Sequence, residues 1–102
     1  DYKVFWGNVY SVYIKARTKR IPEAKKILNN FLKQKELSIK EVLRKIKNAN
    51  YADKVFTDYI SYILILTYDT NLLEELKDEF LIDDTEFDEE RLKKLKKEFK
   101  VL

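Results

Sequence analysis

The densest set of groups able to do chemistry is the run DDTEFDEE, Asp83 to Glu90. Asp84, Glu86 and Asp88 stand at alternate positions, the spacing at which a calcium-binding loop presents its oxygen ligands. That loop also needs a glycine at its sharp turn, and none falls here. The run reads instead as the start of a helix, so no metal site is assigned. Ser11, Ser38 and Ser61 are possible nucleophiles, but the chain has no histidine to activate them and no cysteine to replace them. A single glycine in the chain rules out a Gly-rich loop around a phosphate. The expectation is a non-enzyme with no catalytic residue and no cofactor.

Aromatic and basic residues are the more plentiful chemistry. Seven tyrosines, six phenylalanines and one tryptophan make up 14% of the chain, and such side chains supply large contact areas at small entropic cost. Charge is divided unevenly. Residues 1–50 hold 13 Lys and Arg against 4 Asp and Glu, a balance of +9, while residues 51–102 hold 8 against 14, a balance of −6. Attraction between the halves would explain this division. So would a positive face built on Lys15, Arg17, Lys19 and Arg20 that receives an acidic ligand.

The elements that must position these groups are read from periodicity and turn residues. At 102 residues and 45% apolar composition the chain fits one domain with its own core, 1–102, written as repeat 1 (1–50) and repeat 2 (51–102). Lys3-Val4-Phe5 matches Lys54-Val55-Phe56, and Ser11-Val12-Tyr13-Ile14 faces Ser61-Tyr62-Ile63-Leu64. Ala24, Ile27, Phe31 and Leu32 fall opposite Leu73, Leu76, Phe80 and Leu81. The matches are mostly of apolar class, and they point to an internal duplication.

Within each unit the spacing predicts a strand and two helices. Val9 to Thr18 alternates Tyr10, Val12, Ile14 and Ala16 with Ser11, Tyr13, Lys15 and Arg17, the period of a half-buried strand. Gly7-Asn8 offers a hairpin turn before it. Its counterpart YISYILILTY, Tyr59 to Tyr68, is apolar on both faces, as a central strand would be; a buried helix would also fit. Pro22 suits a first helical turn ahead of the stripe Ala24, Ile27, Leu28, Phe31, Leu32. Ser38 and Glu41 form a capping box flanked by Leu37 and Val42, and Phe87, Asp88 and Leu92 take the matching places in the second unit. The fold class expected is therefore α+β, two tandem strand-helix-helix repeats sharing one antiparallel sheet about a pseudo-twofold axis.

Within Tyr10 to Ile46, VYIKART followed by two helices, the second of them ELSIKEVLRKI, resembles the ribbon-helix-helix family of DNA-binding proteins. That resemblance implies Ser11, Tyr13, Lys15 and Arg17 as groove-facing residues and a single-chain pseudo-dimer as the regulator. Trp6, Tyr10 and Tyr13 beside Lys15 and Arg17 would also permit stacking on single-stranded nucleic acid.

The first expectation is a protein-interaction module that binds an extended peptide in the groove between its two repeats. Trp6, Tyr13, Tyr59 and Tyr62 would be the peptide-binding residues. The protein is expected to be a monomer, soluble and cytoplasmic. Its longest apolar run has ten residues, against roughly 20 for a bilayer span. A Cys-free chain rich in Lys, Ile, Tyr and Glu, with paired KVF units, resembles the small orphan proteins of filamentous viruses infecting hyperthermophilic archaea. The resemblance implies a viral interaction protein working in a host cytoplasm.

Overall fold

Helix is the regular structure throughout the described residues, 2–49 and 54–80, of a computed structural model of the chain. In order these are α1 (Tyr2–Arg17), α2 (Ile21–Lys35), α3 (Ile39–Asn48), α4 (Lys54–Tyr68), a 3₁₀ turn at Thr70–Leu72, and α5 (Leu73–Phe80). The expected α+β fold is overturned: no strand and no sheet occur among the described residues. With the sheet goes the inter-strand groove.

The two supposed strands are α1 and α4, and burial shows why. In α1 the buried positions are Trp6, Val9, Val12 and Ala16, a spacing of three, three and four. That is one stripe of a 3.6-residue helix. The supposed strand face Tyr10, Val12, Ile14, Ala16 mixes two buried residues with one half-buried and with Ile14, which is 56% exposed. Gly7-Asn8 makes no turn; the Asn8 side-chain amide donates to the Val4 carbonyl one helical turn back, at 2.9 Å.

α4 is buried all round. Every residue from Thr57 to Thr67 except half-buried Tyr59 is shielded from solvent. α4 packs against α1, α2, α3 and α5. Ile60, Ile63, Leu64, Ile65 and Leu66 are each no more than 2% exposed. At roughly 2 kcal/mol for each fully buried aliphatic side chain, these five contribute on the order of 10 kcal/mol. That is a gross term, before chain entropy is subtracted, and among the described residues no other helix buries as many large aliphatic side chains. Its buried hydroxyls turn back on their own helix: Ser61 Oγ donates to the Thr57 carbonyl at 3.1 Å and Thr67 Oγ1 to the Ile63 carbonyl at 2.7 Å. Such bonds let polar side chains sit inside an apolar core without leaving a donor unmade.

α2 and α3 follow their sequence signals. Pro22 stands in the first turn of α2, and Ala24, Leu28, Phe31 and Leu32 are buried, with Ile27 half-buried beside them. The chain leaves α2 through Glu36 in the left-handed region, φ 52°, and the Leu37 amide closes the end by donating to Leu32 O at 2.9 Å. The Ser38 capping box is complete: the Glu41 amide donates to Ser38 Oγ at 3.1 Å, and the Ser38 amide to Glu41 Oε1 at 3.2 Å. Leu37 packs against the core that Val42 enters fully. The matching trio Phe87, Asp88 and Leu92 lies outside the described residues, as does the acidic run Asp83 to Glu90. The paired units beginning at Lys3 and Lys54 each lie in the first turn of a long helix, not before a hairpin.

Candidate functional site

The start of α1, the end of α2 and one side of α3 leave an open cleft of about 700 Å³ between them. α1 supplies Val4, Phe5 and Trp6; α2 supplies Phe31 and Lys35; the connecting Leu37 closes one end. α3 and the residue after it supply Glu41, Arg44, Lys45, Asn48 and Ala49. The α2–α3 turn makes the cleft possible. Its left-handed Glu36 and the short link to Ser38 turn the chain out of α2 into α3, which packs on α4 and α5 and leaves a gap toward α1 and the end of α2.

Aromatic rings form the cleft floor. Phe5 meets Trp6 edge-on at 5.3 Å and 88°, and lies 5.9 Å from Phe31. Trp6 continues the cluster to Tyr10 at 5.7 Å. Trp6 itself is only 6% exposed, so it is a wall more than a free contact, whereas Val4 is 41% exposed at the mouth. Edge-on rings of this kind hold one another in place, which gives the floor a fixed shape.

Cations stand round the rim. Lys45 Nζ lies 6.0 Å over the Phe5 ring. Arg44 reaches the other way, 5.9 Å over the Phe80 ring and 4.0 Å from the Glu79 carboxylate. Lys47 donates to the Glu79 carbonyl at 2.7 Å, so the end of α5 is tied to α3 directly beside the rim. The one carboxylate of the cleft, Glu41, is engaged in the α3 cap. Lys35 and Lys45, with Arg44 shared with Glu79, therefore leave the rim positive over an apolar floor, a combination that favours a ligand with an apolar anchor and negative charge.

A second cluster joins α1 to α4. Tyr13 and Tyr59 meet edge-on at 6.0 Å, and the Arg17 guanidinium lies 5.1 Å over the Tyr59 ring and 5.9 Å over that of Tyr13. Arg17 also donates to the Tyr59 hydroxyl. Burial raises the pKa of the Tyr13 phenol above its ordinary value; the Arg17 charge opposes this and Tyr59 adds to it. An arginine spread over two rings is a structural clamp between helices.

The residues expected from the sequence to bind peptide are dispersed. Trp6 lines the cleft, Tyr13 and Tyr59 belong to the arginine clamp, and Tyr62 is buried at 2% exposure in the core. The groove-reading set of Ser11, Tyr13, Lys15 and Arg17 breaks up as well. A helix turns alternate residues by about 200°, so Ser11 and Lys15 part from Tyr13 and Arg17. Lys15 Nζ pairs with Glu23 at 3.3 Å, and Ser11 is half-buried. With these four residues on a helix and no strand among the described residues, they form no ribbon to enter a major groove. Sequence reasoning missed Phe5, Leu37, Arg44 and Lys45 as a set. Only the placement of α3 on α4 and α5, across a gap from the α1–α2 pair, unites them, and no local pattern reports that.

Among the described residues no three His, Cys, Asp or Glu side chains gather where a metal ion could be held, and no helix is long and apolar enough to cross a membrane. No protein-family model, curated protein or solved structure matches the chain.

Proposed function

We propose that this protein is a non-enzymatic interaction module whose α1–α2–α3 cleft takes a short peptide carrying an aromatic or leucine anchor flanked by acidic residues. The observation that carries the reading is the cleft's composition. A floor of Phe5, Trp6 and Phe31 lies below a rim of Lys35, Arg44 and Lys45. At about 700 Å³ the space is in the range that accepts a large side chain with its neighbours. An apolar anchor supplies most of such an affinity, and rim charges supply orientation and on-rate. The site thus moves from the supposed seam between repeats to the junction of three helices in the first half of the chain.

The test is a peptide-display selection on the whole protein, followed by titration read through Trp6, the only tryptophan and a cleft residue. Enriched peptides should place Phe, Trp, Tyr or Leu next to Asp or Glu. The double variant Arg44→Glu, Lys45→Glu should weaken binding by roughly tenfold or more, since each reversal turns an attraction into a repulsion. Arg44→Glu also gives up the contacts with Phe80 and Glu79, so a thermal melt of the double variant is run beside the titration and binding is compared well below its midpoint. Tyr13→Ala should leave affinity unchanged. Failure to enrich any peptide, or equal binding by the charge-reversed variant, would sink the reading.

A further inference from the structure

The positive charge of this chain is concentrated in a stretch that the cleft leaves mostly unused. Lys15 to Lys35 holds eight Lys and Arg against one Glu, a local balance of +7 in a chain whose total is +3. Three of the eight are engaged: Lys15 pairs with Glu23, Arg17 clamps Tyr13 and Tyr59, and Lys35 lines the cleft. The same pairing occupies Glu23, the one acid of the stretch. Lys19, Arg20, Lys25, Lys26 and Lys33 remain exposed, with no ion pair among the described residues. We infer that the outward side of α2, with the α1–α2 turn at its head, is a second binding surface, which takes the phosphate backbone of duplex DNA without regard to sequence.

Helical geometry sets this charge in a row. Ala24, Leu28, Phe31 and Leu32 turn one side of α2 inward, where it packs on α1 and α4. At about 100° per residue, Lys26, Asn30 and Lys33 fall together on the opposite side. Lysine ammonium groups and the asparagine amide both donate to phosphate oxygen. With 15 residues at about 1.5 Å each, α2 is roughly 22 Å long, which matches about six steps of a duplex backbone at 3.4 Å per step. What the face lacks selects among polyanions. The one aromatic residue of α2, Phe31, is buried, so no ring is offered on which unpaired bases could stack. No large apolar side chain of α2 is exposed, whereas a helix that lies on lipid inserts such side chains among the acyl chains. A row of fixed cations without rings or grease fits the outside of a duplex.

The test is fluorescence anisotropy of a labelled DNA duplex of arbitrary sequence, titrated with the full chain at several salt concentrations. If Lys19, Arg20, Lys26 and Lys33 each neutralise one phosphate, the log–log salt slope is about −3.6, and affinity should fall roughly 150-fold between about 50 and 200 mM salt. Changing all four to Gln should remove most of that slope and weaken binding at about 50 mM salt at least tenfold; the milder pair Lys26→Gln, Lys33→Gln should remove about half of the slope. All four side chains are exposed, and thermal melts check that each variant is folded at the titration temperature. Arg44→Glu with Lys45→Glu lowers the net charge by the same amount as the fourfold change, but on the cleft rim. That variant should keep the slope and stay within about threefold in affinity. The fourfold Gln variant should still bind a selected acidic peptide as the unaltered chain does, so this surface and the cleft are tested separately. No duplex binding at about 50 mM salt would overturn the inference. So would equal losses in the two variants of matched charge, or tighter binding to single-stranded DNA, anionic vesicles or polyglutamate than to the duplex.

Discussion

Replacing Gly7 with alanine should make this protein more stable, and the sign of that change tests the helical reading of α1. Gly7 lies inside a helix of 16 residues, exposed, with φ outside the positive region. A Cβ built there meets nothing within 4 Å, so alanine creates no clash and fills no hole. What remains is the backbone term. Glycine costs about 0.8–1 kcal/mol against alanine inside a helix, because it has more freedom to lose. The expected gain is thus close to 1 kcal/mol, or roughly 4–8 °C in Tm for a domain of this size. Far-UV circular dichroism through thermal and urea unfolding would measure it. If Gly7-Asn8 were instead a hairpin turn with positive φ at both residues, the same change would strain the turn and lower stability by a similar amount or more. A loss of stability in Gly7→Ala would therefore refute the continuous α1 helix. The cleft should be untouched, since Gly7 does not line it.

Two further outcomes follow from the same physical terms. Ser38→Ala removes the acceptor for the Glu41 amide and should cost about 1 kcal/mol by urea titration; adding Glu41→Ala should cost little more, because the two side chains act as one cap. Burial holds the Tyr13 phenol above its ordinary value of 10.0, with the Arg17 charge opposing. The unfolded chain therefore loses that proton first as pH rises, so the contribution is full below about pH 10 and is lost as pH climbs through the raised folded value. Stability should fall as pH rises above about 10, and Tyr13→Phe should flatten that part of the profile.

The helices that can be read from the sequence are those whose ends carry chemistry. α2 and α3 declare themselves through Pro22, the Ser38–Glu41 box and a stripe of small and aliphatic residues, and the structure places each where the local signals put it. α1 and α4 announce no ends. Their β-branched and aromatic content favours strand, and the run Tyr59 to Tyr68 carries no charge and only two small hydroxyls because neighbours cover almost all of it. A helix enclosed by neighbours loses the amphipathic period that would reveal it. In α1 the true stripe Trp6, Val9, Val12, Ala16 is obscured by large residues, Tyr10 and Ile14, standing off it. Individual members of the cleft were visible as aromatic or basic. Their meeting was not, since it depends on how α4 holds α3 across a gap from the α1–α2 pair.

The enclosure of α4 has a consequence for how the protein is made. A ribosome delivers α1, α2 and α3 first, and the apolar sides formed by Val9, Val12, Leu28, Leu43 and Ile46 then lack the helix they close around. From Asn48 to Tyr68 is a further twenty residues of synthesis. At about 5–20 residues per second this takes roughly 1–4 s. Without α4 the three earlier helices have no partner for those apolar sides, which is the kind of surface that chaperones hold. Lys25, Lys26, Lys33, Lys40 and Lys47 are exposed on α2 and α3, and like charge of this kind opposes association of incomplete chains before the fourth helix is in place.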